Sequence, residues 1–555
     1  MMNEELEGKI SDELTISGMV RDFLLRTDMD AHLAEICCKV MEEEKNGGVC
    51  LPVTADEISL LKASPLVKDA SKPEAENDDC KLFVLAHGRL YTRRNWRYEQ
   101  SVKRRIEEMA MTLFVGNIDI PTNGAFEGLK ERQREAIRQM GSHQFSIMTG
   151  GPGTGKTYTI ARAVKLIQEQ KPGLTLGLAA PTGKAKARMK EAMLQEAKAL
   201  ELEKVPDAQT LHSLLKPNYD FVTFKHNHDN HLELDWLIVD EASMISLSMM
   251  AKLLDALKPT CGLTLVGDAC QLSSVEPGKV FGDLCRMRVV NECGCKCELI
   301  ESNRFQAGGE IATLADFINS GDSDNALKCL KNPQNKLVEY ICLNQVENKM
   351  TRFRQIIEEG FEEFCRQDTP EGALSELNKC RVLCAVRKGR FGCEMLNTTV
   401  QSKLRKLNPR CPIPMMITRN DGRLGVSNGD VGVIMPQQGE ELYLPDKEKP
   451  IPLTLLPNRE MAFASTIHKA QGSEFNYVII VLPPINELEE DAPVNSLLTR
   501  ELLYTALTRT KPIIKNGISI GKVYIIADDE SIRKCCENET IRNTGLLVDD
   551  DIATT

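Results

Sequence analysis

The feature that most constrains the fold is a glycine-rich segment at residues 148–157, which reads MTGGPGTGKT. It matches the phosphate-binding loop pattern G-x-x-x-x-G-K-[ST]. An apolar run at 145–148 precedes it and a helix-forming stretch at 158–168 follows it, which predicts a strand, a loop and a helix in that order. In such a loop the backbone N–H groups and the helix N-terminus attract phosphate oxygens. We therefore assign nucleotide binding to Gly150, Gly151, Pro152, Gly153, Thr154, Gly155, Lys156 and Thr157.

Two side chains of this segment have distinct expected roles. Lys156 is expected to reach the β- and γ-phosphates of a nucleoside triphosphate, and the Thr157 hydroxyl is expected to ligate Mg²⁺. The alternative is a glycine-rich turn that binds nothing. The predicted strand and helix on either side favour the phosphate loop.

Length and composition indicate a globular protein with several domains. At 555 residues the chain is too long for one hydrophobic core, so we expect roughly two to four domains. No apolar run approaches the roughly 18 residues of a membrane span, and the acidic segment 1–8 does not resemble a secretory signal. Nineteen cysteines without such a signal favour reduced cytosolic thiols over a disulfide framework.

The net charge of −11 is not typical of a DNA-binding protein. The acidic excess is concentrated in short runs at 42–44, 74–79, 487–491 and 549–551, which are typical of solvated faces or tails. Binding depends on the local field rather than on net charge. Charge therefore neither supports nor excludes a nucleic-acid partner.

Strand-like and helical stretches alternate twice along the chain. The first series, from about 127 to 300, follows the phosphate loop, and the second runs from about 305 to 530. Such alternation is typical of a doubly wound parallel sheet. Proline- and glycine-rich sequence with short strand candidates interrupts the second series between about 405 and 460, which predicts a small β-barrel insert.

The first 120 residues or so have helical periodicity and one basic, aromatic patch. This patch could form a subunit interface, where Arg, Tyr and Trp are favoured, stack nucleic-acid bases, or be a solvated helix face. We favour the interface. Its members are Arg89, Tyr91, Arg93, Arg94, Trp96, Arg97, Tyr98, Lys103, Arg104 and Arg105.

Two further strand ends carry polar side chains. Residues 237–243 read LIVDEAS, and we expect Asp240 to hold Mg²⁺ and Glu241 to orient and deprotonate an attacking water. A helix N-cap followed by a first-turn acid would look the same, but the position after a phosphate loop favours catalysis. Residues 265–272 read LVGDACQL, where the Gln271 amide is placed to sense the γ-phosphate.

Together these segments resemble the superfamily 1 DNA helicases, and most closely the RecD family, the α subunits of exodeoxyribonuclease V (RecBCD). Further matches lie in the expected order along the chain. They are APTGKA at 180–185, TLHSLL at 210–215, ESNRF at 301–305, ASTIHKAQGSEF at 464–475 and LTRELLYTALTR at 498–509.

The resemblance implies an α/β fold with two RecA-like doubly wound motor domains. The implied boundaries are a helical, partner-docking N-terminal domain at 1–120, a first motor domain at 121–304 with a strand-splitting hairpin near 216–233, a second motor domain at 305–404 and 461–555, and the β-barrel insert at 405–460.

The resemblance also assigns roles to residues outside the phosphate loop. Arg304, at the boundary between the two motor domains, and Arg509 are implied to contact the γ-phosphate from the side of the second motor domain, where an arginine contributes about 10³–10⁵ in rate. Gln133 is implied to read adenine. Hydroxyl and backbone groups of the following residues are implied to hold DNA phosphates, although both histidines could instead be packed core side chains. These residues are Pro181, Thr182, Gly183, Thr210, His212, Thr466 and His468.

Two clusters suggest metal binding only weakly. His226, His228 and His231 fit a polar hairpin better than a metal site. Cys293, Cys295 and Cys297 lack the paired C-x₂-C spacing of zinc and iron–sulfur sites, so we interpret them as reduced thiols.

The expected function is that of an ATP-dependent 5′→3′ DNA helicase in the cytoplasm. Its expected partners are single-stranded DNA from an unwound duplex end and RecB-like and RecC-like subunits, one of which would hold the nuclease. The short region before the motor fits a subunit. A stand-alone RecD-like helicase and an ATP-binding switch or scaffold without unwinding activity remain alternatives.

Overall fold

The computed structural model describes residues 31–72, 81–114, 118–122, 124–202, 205–218, 222–302, 309–343, 349–445, 447–488, 497–511, 513–515, 518–520 and 522–548. Its helices are α1 (Ala31–Lys45), α2 (Ala55–Ala63), α3 (Arg93–Met111), α4 (Glu131–Ser142), α5 (Lys156–Gln170), α6 (Gly183–Leu200), α7 (Leu211–Leu215), α8 (Leu247–Ala256), α9 (Val280–Arg286), α10 (Arg288–Glu292), α11 (Glu310–Ser320), α12 (Ser323–Leu330), α13 (Lys349–Cys365), α14 (Pro370–Leu377), α15 (Cys393–Leu407), α16 (Arg500–Leu507) and α17 (Asp529–Glu537).

Its strands are β1 (Cys50–Pro52), β2 (Val67–Asp69), β3 (Phe83–Ala86), β4 (Arg89–Thr92), β5 (Phe145–Gly150), β6 (Leu176–Ala180), β7 (Ala208–Thr210), β8 (Trp236–Val239), β9 (Gly262–Gly267), β10 (Lys296–Leu299), β11 (Val338–Cys342), β12 (Cys380–Cys384), β13 (Ile413–Ile417), β14 (Val431–Ile434), β15 (Glu441–Leu442), β16 (Ile451–Pro452), β17 (Arg459–Met461), β18 (Ala464–Thr466), β19 (Tyr477–Val481), β20 (Ile513–Lys515), β21 (Ile518–Ile520) and β22 (Lys522–Ala527).

The first α/β unit is built on a parallel sheet of six strands in the order β10-β5-β9-β8-β6-β7. Strands β5, β8 and β9 are buried along their whole length, as expected for strands covered by helices on both faces. Separate apolar clusters fill the two faces. Because the strands are parallel, their carboxyl ends meet at one edge, and this edge carries the phosphate loop and both polar strand ends.

The second α/β unit has a parallel sheet of five strands in the order β11-β22-β19-β12-β18. Two further apolar clusters cover its faces. The prediction of two α/β units with parallel sheets is therefore confirmed. Residues 405–460, predicted as a β-barrel, contain two small antiparallel sheets, β14-β13-β17 and β15-β16, around an apolar cluster of their own.

The N-terminal region is not purely helical, so that part of the prediction is wrong. Strands β1 to β4 form a four-stranded sheet in the order β1-β4-β3-β2, against which α1 and α2 lie. The strands are only three or four residues long, too short to show a period of two in the sequence. Helix α3 packs on α8 and so joins this region to the first unit.

The segment after α17 leaves the second unit and crosses to the other parts of the molecule. The carbonyl of Asn543 accepts a hydrogen bond from Val49 N at 2.7 Å. Gly545 N donates to the buried Glu99 carboxylate at 2.8 Å, and Leu546 is buried in the core of the first unit. Within the described part of the chain, no helix is long and apolar enough to cross a membrane.

Candidate functional site

The segment between β5 and α5 has the shape of a phosphate loop. Gly153 and Gly155 adopt φ values of +79° and +86°, which residues with a side chain rarely tolerate. The Lys156 ammonium donates to the carbonyls of Gly150 at 2.6 Å and Gly151 at 3.1 Å. The lysine is thus held within the curve of the loop, at the N-terminus of α5.

Gln133 is buried beneath this loop. Its Nε2 donates to the carbonyl of Thr154 at 3.2 Å, and its Oε1 accepts from Lys130 N at 3.1 Å. A Cβ at Gly155 would lie 2.5 Å from Nε2, so only glycine fits there while Gln133 keeps its place. The amide therefore braces the loop, and its predicted contact with adenine stays a prediction.

The acidic pair follows β8 at the same edge of the sheet. Burial, and then the nearby Glu241 carboxylate, raise the pKa of Asp240 to about 6, although Lys156 and Arg188 oppose the shift. Asp240 Oδ1 also accepts from Glu241 N at 2.8 Å. Glu241 itself has a φ of +53°, a strained conformation of the kind that occurs at functional sites. Positive charge is therefore favoured beside this pair.

The loop after β9 carries side chains that meet the second unit. Gln271 Nε2 donates to Asp268 Oδ2 at 3.0 Å, and the Tyr504 hydroxyl on α16 donates to the same oxygen at 3.0 Å. A Cβ at Gly151 would lie 3.2 Å from that hydroxyl. Tyr504 thus links the phosphate loop, the Gln271 loop and the second unit.

Two more hydrogen bonds hold the same junction. The N–H of Leu272 donates to the Thr505 hydroxyl at 2.9 Å, and Gln471 Nε2 donates to the carbonyl of Leu272 at 2.8 Å. Both partners of Leu272 belong to the second unit. The loop that follows β9 is therefore hydrogen-bonded directly to that unit.

Of the two predicted arginines, the structure describes Arg509 but not Arg304. Arg509 is buried directly after α16, where its Nε donates to the carbonyl of Thr505 at 3.1 Å. Arg304 lies outside the described residues. The chain leading to it crosses the phosphate loop, since the Ser302 hydroxyl donates to the carbonyl of Pro152 at 2.9 Å.

A cleft of about 510 Å³ lies where both units and the insert meet. It brings together four of the predicted nucleic-acid residues, Pro181, Thr182, His212 and His468. Lys184 from the first unit, Asn428 and Gly429 from the insert, and Lys469 and Gln471 from the second unit also line it.

The predicted threonines all cap helical turns at this end of the molecule. The hydroxyl of Thr182 accepts from Ala185 N at 3.2 Å at the start of α6, where Gly183 is the first helical residue. Thr210 caps α7 in the same way, accepting from Ser213 N at 3.1 Å. The Thr466 hydroxyl accepts from Lys469 N at 3.4 Å. Helix N-termini of this kind attract phosphates.

The surroundings of His212 and His468 favour the neutral form of each imidazole. Burial lowers the pKa of His212, and burial followed by the nearby Arg542 guanidinium lowers the pKa of His468. The His212 ring also contacts Phe224, with ring centroids 5.8 Å apart. The imidazoles are therefore suited to neutral hydrogen bonding and packing rather than to charge pairing.

Two lysines of the cleft were not singled out from the sequence. Burial, followed by repulsion from Arg381, lowers the pKa of Lys184 to about 8. Lys469 Nζ pairs with Glu460 at 2.6 Å. Lys184 lies in the segment 180–185 and Lys469 in the segment 464–475, but lysine side chains are usually solvated, so no local pattern singles these two out.

Several residues of the basic, aromatic N-terminal patch contact other parts of the same chain. Trp96 and Tyr98 pack on the core of the first unit. Arg105 donates to the carbonyls of Lys258 and Pro259, both at 3.2 Å. These members of the patch hold the N-terminal region on the first unit.

The two weak metal candidates have ordinary surroundings. No cluster of three metal-ligating side chains occurs among the residues that the structure describes. Burial raises the pKa of Cys295 to about 12 and that of Cys297 to about 11. Around the three histidines the chain makes short antiparallel bridges, Pro217 with Phe224 and Asn227 with Asn230.

Comparison with known proteins identifies the family. The AAA domain family matches residues 133–277, and the UvrD-like helicase C-terminal domain matches 461–512. The RecBCD enzyme subunit RecD of Mycobacterium tuberculosis is 34% identical in an alignment of 590 positions that covers 96% of each chain. This chain belongs to the RecD family. The RecD subunit of Mycolicibacterium smegmatis is 36% identical over 82% of this chain and 81% of its own length.

More distant similarities extend beyond the RecD subunits. The ATP-dependent RecD2 DNA helicase of Deinococcus radiodurans is 29% identical over 85% of this chain but 60% of its own length. A crystal structure of the Pif1 helicase from Candida albicans covers 77% of this chain and 99% of that one, with 14% identity and a TM-score of 0.39.

The two family matches coincide with the two halves of the site. The first begins at Gln133 and includes the phosphate loop, the acidic pair and Gln271. The second includes Thr466, His468, Tyr504 and Arg509. The AAA-domain and UvrD-like segments are thus the ones that meet at the junction between the two units.

Proposed function

We propose that this chain is an ATP-dependent 5′→3′ DNA helicase, the RecD subunit of a RecBCD-type helicase–nuclease that acts on double-strand DNA ends in recombinational repair. The names of the most similar relatives support the assembly with RecB-like and RecC-like chains. The proposal includes a cytoplasmic location, a partner-docking role for residues 1–120 and a barrel-like insert at 405–460. Nuclease activity would belong to a partner chain.

The residues at the strand ends fit ATP and Mg²⁺. The phosphate loop and Lys156 would hold the phosphates, while Thr157 and Asp240 would hold the ion. Because burial disfavours the charged form of Asp240, the positive charge of the ion would stabilise its ionised carboxylate. When bound, the ion supplies charge stabilisation to the phosphoryl group. Glu241 would orient the attacking water and accept its proton.

The second unit would complete the site. Phosphoryl transfer is catalysed mainly by positioning and by stabilising charge. Arg509 would supply positive charge from this unit, and Arg304 would supply it from the boundary between the two motor domains. Tyr504 and Gln471 bond to the loops beside the phosphate site. Loss of the γ-phosphate would therefore change how the two units sit against each other.

The cleft of about 510 Å³ between the units, called here the nucleic-acid cleft, would convert that movement into translocation along DNA. One wall carries Thr182 and His212 from the first unit, and the other carries His468 and Lys469 from the second. Hydroxyl, backbone and lysine contacts to phosphates position a strand without reading its sequence. Relative movement of the two walls would advance the protein along DNA.

The observation that carries the proposal is the hydrogen-bonded junction of α16 with the loop after β9, beside the phosphate loop. A nucleotide switch does not need a second unit attached to its phosphate site. The test is ATP turnover by the full chain with and without single-stranded DNA. We expect DNA to stimulate turnover and Lys156→Gln to abolish it, while the matched control Lys165→Gln, which removes a surface ion pair from the same helix, retains it.

Two outcomes of this test would contradict the proposal. A rate unchanged by single-stranded DNA would favour an ATP-binding switch or scaffold. Turnover that survives in Lys156→Gln would remove the catalytic assignment altogether.

The similarity to the RecD2 helicase supports a second candidate, a stand-alone helicase of the same family. Co-purification from the native source separates the two. Two large accompanying subunits are expected for the RecBCD-type protein, and an active monomer on size exclusion is expected for the stand-alone helicase.

A further inference from the structure

Helix α6 connects the nucleic-acid cleft with the acidic pair. Its N-cap Thr182 and its first-turn Lys184 line the cleft. Arg188 lies six residues after Thr182, about 9 Å along the helix at 1.5 Å per residue. There its guanidinium nitrogen Nη1 lies 3.6 Å from Oε1 of Glu241, the proposed catalytic base.

The same guanidinium also reaches the second unit. Its Nη2 donates a hydrogen bond to Glu474 Oε1, and Lys511 Nζ lies 3.6 Å from the other oxygen of that carboxylate. The Glu241 and Glu474 side chains are only 15% and 12% exposed. The Arg188 side chain is 41% exposed, so solvent reaches both ion pairs from the arginine side.

The two carboxylates are held unequally. Arg188 makes a direct hydrogen bond to Glu474 but only a longer ion pair with Glu241. A small displacement of α6 would therefore break the Glu241 contact first. While the contact lasts, the guanidinium occupies one oxygen of the Glu241 carboxylate and competes with water for it.

We propose that Arg188 is a positioning residue that restrains Glu241 until a nucleic-acid strand engages the start of α6. Phosphates bound at Thr182 and Lys184 displace the helix, Arg188 stays with Glu474, and Glu241 becomes available to the attacking water. The inference rests on the proposed ATP-dependent function. Movement of α6 would thus let DNA stimulate ATP hydrolysis at a catalytic site that the DNA itself does not contact.

The test compares ATP turnover by the full-length Arg188→Gln variant with and without oligo(dT). Without DNA we expect turnover to rise roughly three- to tenfold, because the restraint on Glu241 is lost, and the ratio of stimulated to basal rate to fall by a similar factor. Arg188→Lys keeps the charge and should restore part of the ratio. Lys190→Gln, an exposed change on the same helix, should leave the ratio unchanged.

A purely structural role would not change this ratio selectively. The inference is overturned if Arg188→Gln keeps the wild-type basal rate and stimulation, or if both rates fall equally with oligo(dT) affinity and thermal midpoint unchanged. If Arg188→Gln does not fold, the same criteria apply to Arg188→Lys, which must then show an intermediate ratio. Absence of DNA stimulation in the wild-type chain would instead overturn the proposed function, so the two failures are distinguishable.

Discussion

Replacing Tyr504 with Phe removes one oxygen from the junction between the units. The hydroxyl donates to Asp268 Oδ2 at 3.0 Å, and both side chains are buried. Without it, that oxygen keeps only the Gln271 amide as a hydrogen-bond partner within the described residues. A hydrogen bond to a charged group contributes about 1.5–3 kcal/mol, which corresponds to about 10- to 150-fold in a rate or equilibrium constant.

The effect on turnover depends on when this bond forms. If it forms fully only as the units close on the nucleotide, its loss lowers kcat/KM for ATP at saturating single-stranded DNA by about 10- to 100-fold. If it is equally strong throughout the cycle, only stability falls. Because the hydroxyl lies so close to Gly151 of the phosphate loop, we expect the first result in a steady-state ATPase assay.

Tyr340→Phe is the matched control. The Tyr340 hydroxyl donates to Asp529 Oδ1 at 2.9 Å, a bond of the same chemistry that lies wholly within the second unit. We expect it to lower the thermal midpoint without changing ATP turnover. Turnover in Tyr504→Phe within about twofold of wild type, or an equal loss in both variants, would refute the assigned role of the junction.

Three further predictions concern buried groups. Lys279→Met should lower the free energy of unfolding by about 3–5 kcal/mol, because the buried Glu501 carboxylate, 2.9 Å away, keeps its hydrogen bonds from Thr540 but loses its opposite charge; a denaturation curve for Lys279→Met/Glu501→Leu that shows no recovery would contradict this. Burial raises the pKa of Asp283 to about 7, so folding stability is lost as pH rises from about 4 to 7; Asp283→Asn should therefore raise the thermal midpoint more at pH 8 than at pH 5, and an equal rise at both would contradict the assignment. Gln133→Ala removes the brace on the Thr154 carbonyl and should raise KM for ATP by about tenfold; an unchanged KM would show that the loop holds itself.

The features that could be predicted from the sequence are those formed by residues close together in the chain. The phosphate loop, the two polar strand ends and the alternation of strands and helices each depend on residues close together in the chain, and parallel strands then bring their ends to one edge. The short strands β1 to β4 escaped prediction because three or four residues carry no clear period.

The junction escaped prediction for a different reason. Tyr504 and Asp268 are far apart in sequence, and a tyrosine among apolar residues is usually a core side chain. Arg188 likewise gained its role from contacts with Glu241 and Glu474. Such roles depend on how the two units pack together, which no local pattern in the chain specifies.

A single variant on the second unit tests whether one nucleotide is shared by both units. Arg509 belongs to the second unit and Lys156 to the first. In Arg509→Lys, with DNA saturating and the thermal midpoint checked, kcat for ATP hydrolysis should fall by about 10³-fold or more while a fluorescent ATP analogue still binds. A folded variant that hydrolyses ATP within about tenfold of the wild-type rate would show that the first unit works alone and would contradict the account.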